Sequence, residues 1–162
     1  MKSETEPRPE PALLRRLRRL VQALLLIGLV GTAIELALID HFEDAWQFVP
    51  FGSIALSVGA LAWTLISQRA ASVWACRLAM ALMIAAGVAG AGLHYKGSRE
   101  FQIESDPSTG GFELFMKVMR AQAPPVLAPG YLTLFGLLGI ASVYRTPVTA
   151  TCIHEKTIGG PP

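Results

Sequence analysis

Uninterrupted apolar runs dominate the chain. Residues 20–39 contain only Gln22, Thr32 and Glu35 as strongly polar members, and residues 48–66 carry no charge, with Pro50 near the start, where a missing backbone N–H is tolerated. A third run, 78–93, is extended by Val73 to Arg77 before it and by His94 and Tyr95 after it, giving an expected helix over 73–95 with Arg77 reaching back to the interface. The fourth, over 126–144, is uncharged, and Pro124, Pro125 and Pro129 crowd its beginning. At about 1.5 Å per residue, some 20 residues cross a hydrocarbon core of about 30 Å. The runs lack the two-residue alternation of a membrane β-barrel, so helices are expected. The pattern predicts an all-α integral membrane protein, a four-transmembrane-helix bundle over 20–145 with tails at 1–19 and 146–162.

The loop 94–125 is the one long extramembrane segment. From Gly111, the order Phe112, Phe115, Met116, Met119 against Glu113, Lys117 and Arg120 predicts a short amphipathic helix. It would lie on the outer membrane surface or across the bundle mouth, and its four apolar residues are the candidate partner-binding face. Between Lys96 and Glu104, Phe101 and Ile103 alternate with charged and amide residues, which suggests a short strand. Small residues recur at helix-packing spacing at Ala55 and Gly59, at Ala81, Ala85 and Ala89 with Gly87 and Ala91, and at Gly136 and Gly139, and are expected inside the bundle.

Charge fixes the expected orientation. Of the 14 Lys and Arg residues, ten fall in the two tails, in the link between the second and third helices and at the adjoining helix ends (Arg77 and Arg145), and four (Lys96, Arg99, Lys117, Arg120) in the 94–125 loop. The positive-inside rule places both termini in the cytoplasm, and the 94–125 loop outside. A signal peptide is the less favoured reading of the Arg cluster and following apolar run, because that run continues past the small residues at 31–33. Cys76 and Cys152 then face a reducing compartment, where no structural disulfide is expected. Residues 12–20, with leucines between arginines, form a basic amphipathic approach suited to anionic lipid.

Composition narrows the functional classes. The chain has 162 residues, 52% hydrophobic and 16% charged, with a net charge of +2, which speaks against a disordered tail protein and against a nucleic-acid binder. Glu35 is the one ionisable side chain well inside a run, and an intramembrane carboxylate is a functional candidate by default. His41, Glu43, Asp44 and His94 lie at the same end and are, with Glu35, weak candidates for a proton relay or hard-metal site. Asp40, Glu43 and Asp44 have helical i, i+3, i+4 spacing, but no His pair at i, i+4 accompanies them. The favoured expectation is a hydrogen bond between Glu35 and His94. No catalytic motif is legible, so neither enzyme activity nor a cofactor is expected.

Three blocks, DHFEDAWQFVP at 40–50, LHYKGSREFQIE at 93–104 and APGYLTLFGLLGIASVYRTP at 128–147, resemble a family of small, uncharacterised bacterial inner-membrane proteins. The resemblance implies four helices and a bacterial inner membrane, and no activity. The expected role is a non-catalytic auxiliary or structural subunit that packs against other membrane-protein subunits in the lipid bilayer. The alternative is a small oligomeric transporter, proton- or metal-linked, that uses Glu35, and a homo-oligomer is compatible with either.

Overall fold

The computed structural model describes residues 11–42, 44–120, 127–144 and 146, with the side chain of residue 128 left out. Five α-helices are present among them: α1 (Ala12–Leu38), α2 (Phe48–Ile66), α3 (Ala70–Ser105), α4 (Gly111–Met119) and α5 (Leu127–Ser142), with one 3-10 turn at Ala45–Gln47 before α2. Three of these, α1, α3 and α2 together with its 3-10 turn, are long and apolar enough to cross a membrane. At 16 residues, α5 covers about 24 Å, less than the hydrocarbon thickness. Of the fourth expected crossing at 126–144, residue 126 lies outside the described residues.

Two expectations along the chain change. The strand expected over 96–104 is instead the continuation of α3, which runs unbroken for 36 residues. A lone strand leaves its backbone N–H and C=O groups unpaired, whereas a helix satisfies its own, and Lys96 meets Glu100 at 3.8 Å one turn on. The helix stops at Asp106 because Pro107 disfavours the helical region for the residue before it. Likewise the basic approach at residues 12–19 is the first two turns of α1 itself.

Each apolar helix buries one narrow stripe. In α1 it is Gln22, Leu25, Leu29 and Leu36; in α2, Ile54, Ser57, Leu61 and Thr64; in α3, Val73, Cys76, Met80, Met83 and Gly87; in α5, Leu132, Gly136 and Gly139. Steps of three, four and, from Leu29 to Leu36, seven residues make this a 3.5-residue seam, the repeat that lets neighbouring helices interdigitate along their length. Around the bundle, α3 packs on α2 and α5, and α1 closes against α2 and α5. Large apolar residues such as Leu24, Ile27, Leu56, Leu82 and Leu137 face outward, where hydrocarbon rather than water suits them.

The seam is rich in small and hydroxyl residues, and the hydroxyls are spent on backbone carbonyls. Thr64 Oγ1 shares its one proton between the carbonyls of Ala60 at 2.9 Å and Ser72 at 3.1 Å, Ser57 donates to Ala79 at 3.4 Å, and Ser72 Oγ shares its proton between the carbonyls of Ser67 and Arg69. These bonds hold the tight α2–α3 link without exposing an unsatisfied group to lipid. The α3–α5 contact is closest where glycines remove a side chain: Gly87 faces Pro129 and Thr133, Gly136 faces Met80 and Ile84, and Gly139 faces Met80. Of the other small residues expected inside, Ala91 is half-buried, and Ala55, Gly59, Ala81, Ala85 and Ala89 are on the outer surface instead. Spacing alone does not select the inward stripe, because several such stripes exist on each helix.

Arginines close the other end of α5. Arg18 of α1 donates to the Tyr144 carbonyl at 3.2 Å and Arg77 of α3 to the Val143 carbonyl at 3.3 Å. Arg77 therefore caps a helix C-terminus, where a cation meets the negative end of the macrodipole.

Candidate functional site

The chain leaves α1 through a tight reversal. His41 N–H bonds the Leu36 carbonyl at 3.0 Å and Asp40 N–H the Ala37 carbonyl at 3.3 Å, with Asp40 at φ 53°. This is a Schellman ending with Asp40 in the left-handed position usually filled by glycine; a short polar side chain tolerates it better than a branched one. Asp44 then opens the 3-10 turn, its N–H bonding the Gln47 Oε1 at 3.2 Å. Asp40 and Asp44 therefore do not share a helical face, which removes the i, i+3, i+4 geometry on which their metal reading rested. Glu43 lies outside the described residues.

The reversal brings His41 against α3. Its ring stacks on His94 with centroids 6.0 Å apart and planes 24° from parallel. His41 is held below the ordinary imidazole value, first by desolvation and then by the charge of His94. The pair that meets at this end is thus His41 with His94. Glu35 makes no side-chain hydrogen bond or ion pair with His94; it is exposed on the outer surface of α1, one turn before the helix ends. Among the described residues, no group of three or more His, Cys, Asp or Glu side chains is placed to hold a metal ion.

Beyond the end of α3, Asp106 organises a polar clamp. Its carboxylate accepts from Ser108 Oγ at 2.6 Å, Thr109 Oγ1 at 2.6 Å and Lys117 Nζ at 3.0 Å, and Lys117 also meets Glu113 at 3.3 Å. Lys117 belongs to α4, so the clamp ties α4 to the α3 terminus. Hydrogen bonds from Ser108, Thr109 and Lys117 hold the Asp106 carboxyl well below the usual carboxylate range, and Asp106 in turn raises Lys117. A carboxyl with a depressed folded value contributes stability above its unfolded pKa of about 4 and loses it as pH falls toward the folded value. Hydrogen-exchange protection of α4 should therefore stay level from pH 7 to about 5 and fall below about 4. In Asp106→Asn the clamp's acid-dependent share of that fall should vanish; an unchanged acid profile would show that the clamp does not hold α4.

The candidate partner-binding face on α4 divides. Phe112 and Phe115 are exposed and stack on each other at 6.1 Å, with Tyr95 of α3 6.2 Å from Phe115, whereas Met116 and Met119 are half-buried. The side chains that anchor α4 are Leu114 and Val118, both buried and one turn apart. Neither was singled out by the sequence pattern, since each looks like one apolar residue among several. Compared with protein-family models, with curated proteins and with solved structures, the chain matches none, so its own chemistry carries the functional reading.

Proposed function

We propose that the protein is a non-catalytic accessory subunit that packs against a larger membrane-protein assembly. Carrying this reading is the place of Glu35: a carboxylate on the outward surface of a membrane-crossing helix, with Gly31 one turn before it, also outward and with open space beside it. A charge facing hydrocarbon is costly, and the cost falls when a neighbouring protein supplies a donor or a cation. Gly31 would let that neighbour's backbone approach closely, and outward Gly52, Ala55 and Gly59 on α2 offer the same opportunity. The interior polar groups, by contrast, are largely hydroxyls bonded to backbone carbonyls, which favours a scaffold over a conduction path.

The finer reading is a four-fold crossing of a bacterial inner membrane, with α5 and its flanking residues as the fourth crossing, both termini cytoplasmic, and α4 outside. It is supported by the ten-to-four distribution of basic residues. In this orientation a cysteine at Ser108 reacts with an impermeant maleimide in intact cells, and protection there would reverse the topology.

For the subunit reading, the chain extracted from its own membranes in mild detergent should migrate as a complex. Gly31→Trp and Glu35→Leu should each release it as a smaller species with unchanged helix content. A chain that migrates alone, or variants that stay in the complex, would refute the proposal. If Glu35→Gln keeps the assembly but abolishes proton or metal flux in vesicles, the oligomeric transporter replaces it.

A further inference from the structure

The outward side of α1 carries an apolar seam that the other described residues leave uncovered. Within the apolar run its positions are Leu20, Leu24, Ile27, Gly31, Ile34 and Leu38, and Leu17 and Leu13 continue it toward the N-terminus, so the steps alternate between three and four residues throughout. Each aliphatic member is at least 54% exposed, and the seam lies opposite the stripe of Gln22, Leu25, Leu29 and Leu36 that α1 turns into the bundle. We infer that a second copy of this chain covers the seam, the two α1 helices pairing in parallel. The second copy is then the neighbour that approaches at Gly31. The pairing rests on the subunit reading in taking this face of α1 to meet protein, and it leaves Glu35, on the flank of the seam, open to a larger assembly.

Two observations favour protein over lipid on this face. The seam outruns the membrane: at 27 residues α1 is about 40 Å long, about 10 Å more than the hydrocarbon, and the excess falls at the arginine end, because the apolar run starts at residue 20. Leu13 and Leu17, both exposed, therefore stand beside headgroups and water, where the hydrophobic effect that is missing between helices in lipid draws apolar surfaces together. In the same stretch cations turn the other way. Arg18 reaches the Tyr144 carbonyl, and Arg15 and Arg19 line the gap toward Leu65 and Gln68. This end of α1 keeps those charges against its own bundle and presents leucines outward, the reverse of a helix whose outer side meets water.

Three further features fit a second copy. Alternating steps of three and four residues give the 3.5-residue repeat of paired helices, and two identical helices in parallel bring each seam position against its own counterpart at the same depth. Near the middle of the apolar run, Gly31 has open space where a Cβ would stand, which lets the two backbones approach. Arg16 and Glu35 flank the seam on opposite sides. In a parallel pair each flank faces the other flank of the second helix, so neither charge meets its own copy. The bundle also leaves room: α1 and α3 both pack on α2 and α5, which makes α1 a corner whose outer edge is clear of the other helices.

The test uses the full chain with Cys152→Ser, purified and reconstituted alone in phosphatidylcholine vesicles and oxidised with copper phenanthroline; Cys76 is buried and is kept. Leu24→Cys, Ile27→Cys, Gly31→Cys and Ile34→Cys should each link two chains, and dilution with further lipid should leave the yield unchanged. Leu56→Cys on the outward side of α2 and Val30→Cys on α1, at positions 60% and 48% exposed, should link severalfold less. Leu13→Ser with Leu17→Ser, both at exposed positions, should lower the yield of Leu24→Cys severalfold with helix content unchanged. Equal linking at Leu56→Cys or Val30→Cys, a yield that falls on dilution, or a yield unmoved by the two serines would each overturn the pairing. No linking in the isolated chain while the detergent-extracted complex persists would also overturn it, and would leave the subunit reading standing. Linking in the isolated chain, with no larger complex in its own membranes, would uphold the pairing and refute the larger assembly.

Discussion

Gly87→Ala should force α5 away from α3 and lower stability by about 1–3 kcal/mol, the usual cost of overfilling a close-packed contact. A Cβ at residue 87 would stand 2.7 Å from the Pro129 carbonyl oxygen and 2.9 Å from the Thr133 nitrogen, and both are backbone atoms that cannot rotate aside. Gly136→Ala should act in the same way, its Cβ falling 2.8 Å from the Met80 carbonyl oxygen. Because both substitutions open one contact, their joint effect should differ from the sum. Gly59→Ala is the control: nothing lies within 4 Å of its Cβ, and the helix gains up to about 1 kcal/mol of intrinsic preference. Unfolding in mixed detergent, followed by circular dichroism, measures all three. Equal stability of Gly87→Ala and Gly59→Ala would mean that α3 and α5 do not approach as closely as described.

Val118→Glu should detach α4 altogether, while Phe112→Glu leaves it in place. Val118 is fully buried against the rest of the fold, so a carboxylate there must be either desolvated at a cost of several kcal/mol or pulled out into water. Nine residues are too few to stay helical without tertiary packing, so the detached segment should also lose its helix. Phe112 is 76% exposed, and replacing it removes little buried surface. Hydrogen exchange should show α4 unprotected in the first variant and protected in the second, with α1 to α3 unchanged in both. Similar protection of α4 in the two variants would place its anchoring face elsewhere. Phe112→Glu also bears on partnership: loss of an associated complex with α4 intact would give the exposed Phe112 and Phe115 a docking role.

These contrasts show where sequence reasoning reached its limit. The amphipathic pattern after Gly111 located α4 within a residue or two, because a charged face opposite an apolar one is visible in one dimension. It did not separate Leu114 and Val118 from Phe112 and Phe115, because all four lie in the apolar half and only the position of α3 divides them. For residues 96–104, a two-residue alternation was legible, but the alternation is too short to outweigh the continuity of the helix before it. Glu35 was found from its isolation in an apolar run. Its outward direction was not, nor was the meeting of His41 with His94, which depends on a reversal set by the left-handed Asp40.

By itself the sequence determined that the chain is helical and membrane-crossing, since long uncharged runs leave no other means of satisfying the backbone in lipid. It also determined where charge gathers and where α2 and α4 start, but not that α1 begins at Ala12 rather than at residue 20. Which face of each helix turns inward was decided by the tertiary structure. Around an all-apolar helix hydrophobicity is nearly the same in every direction, so burial follows from where small and hydroxyl side chains let backbones approach. Those positions become an inward stripe only when the neighbouring helix is there to meet them.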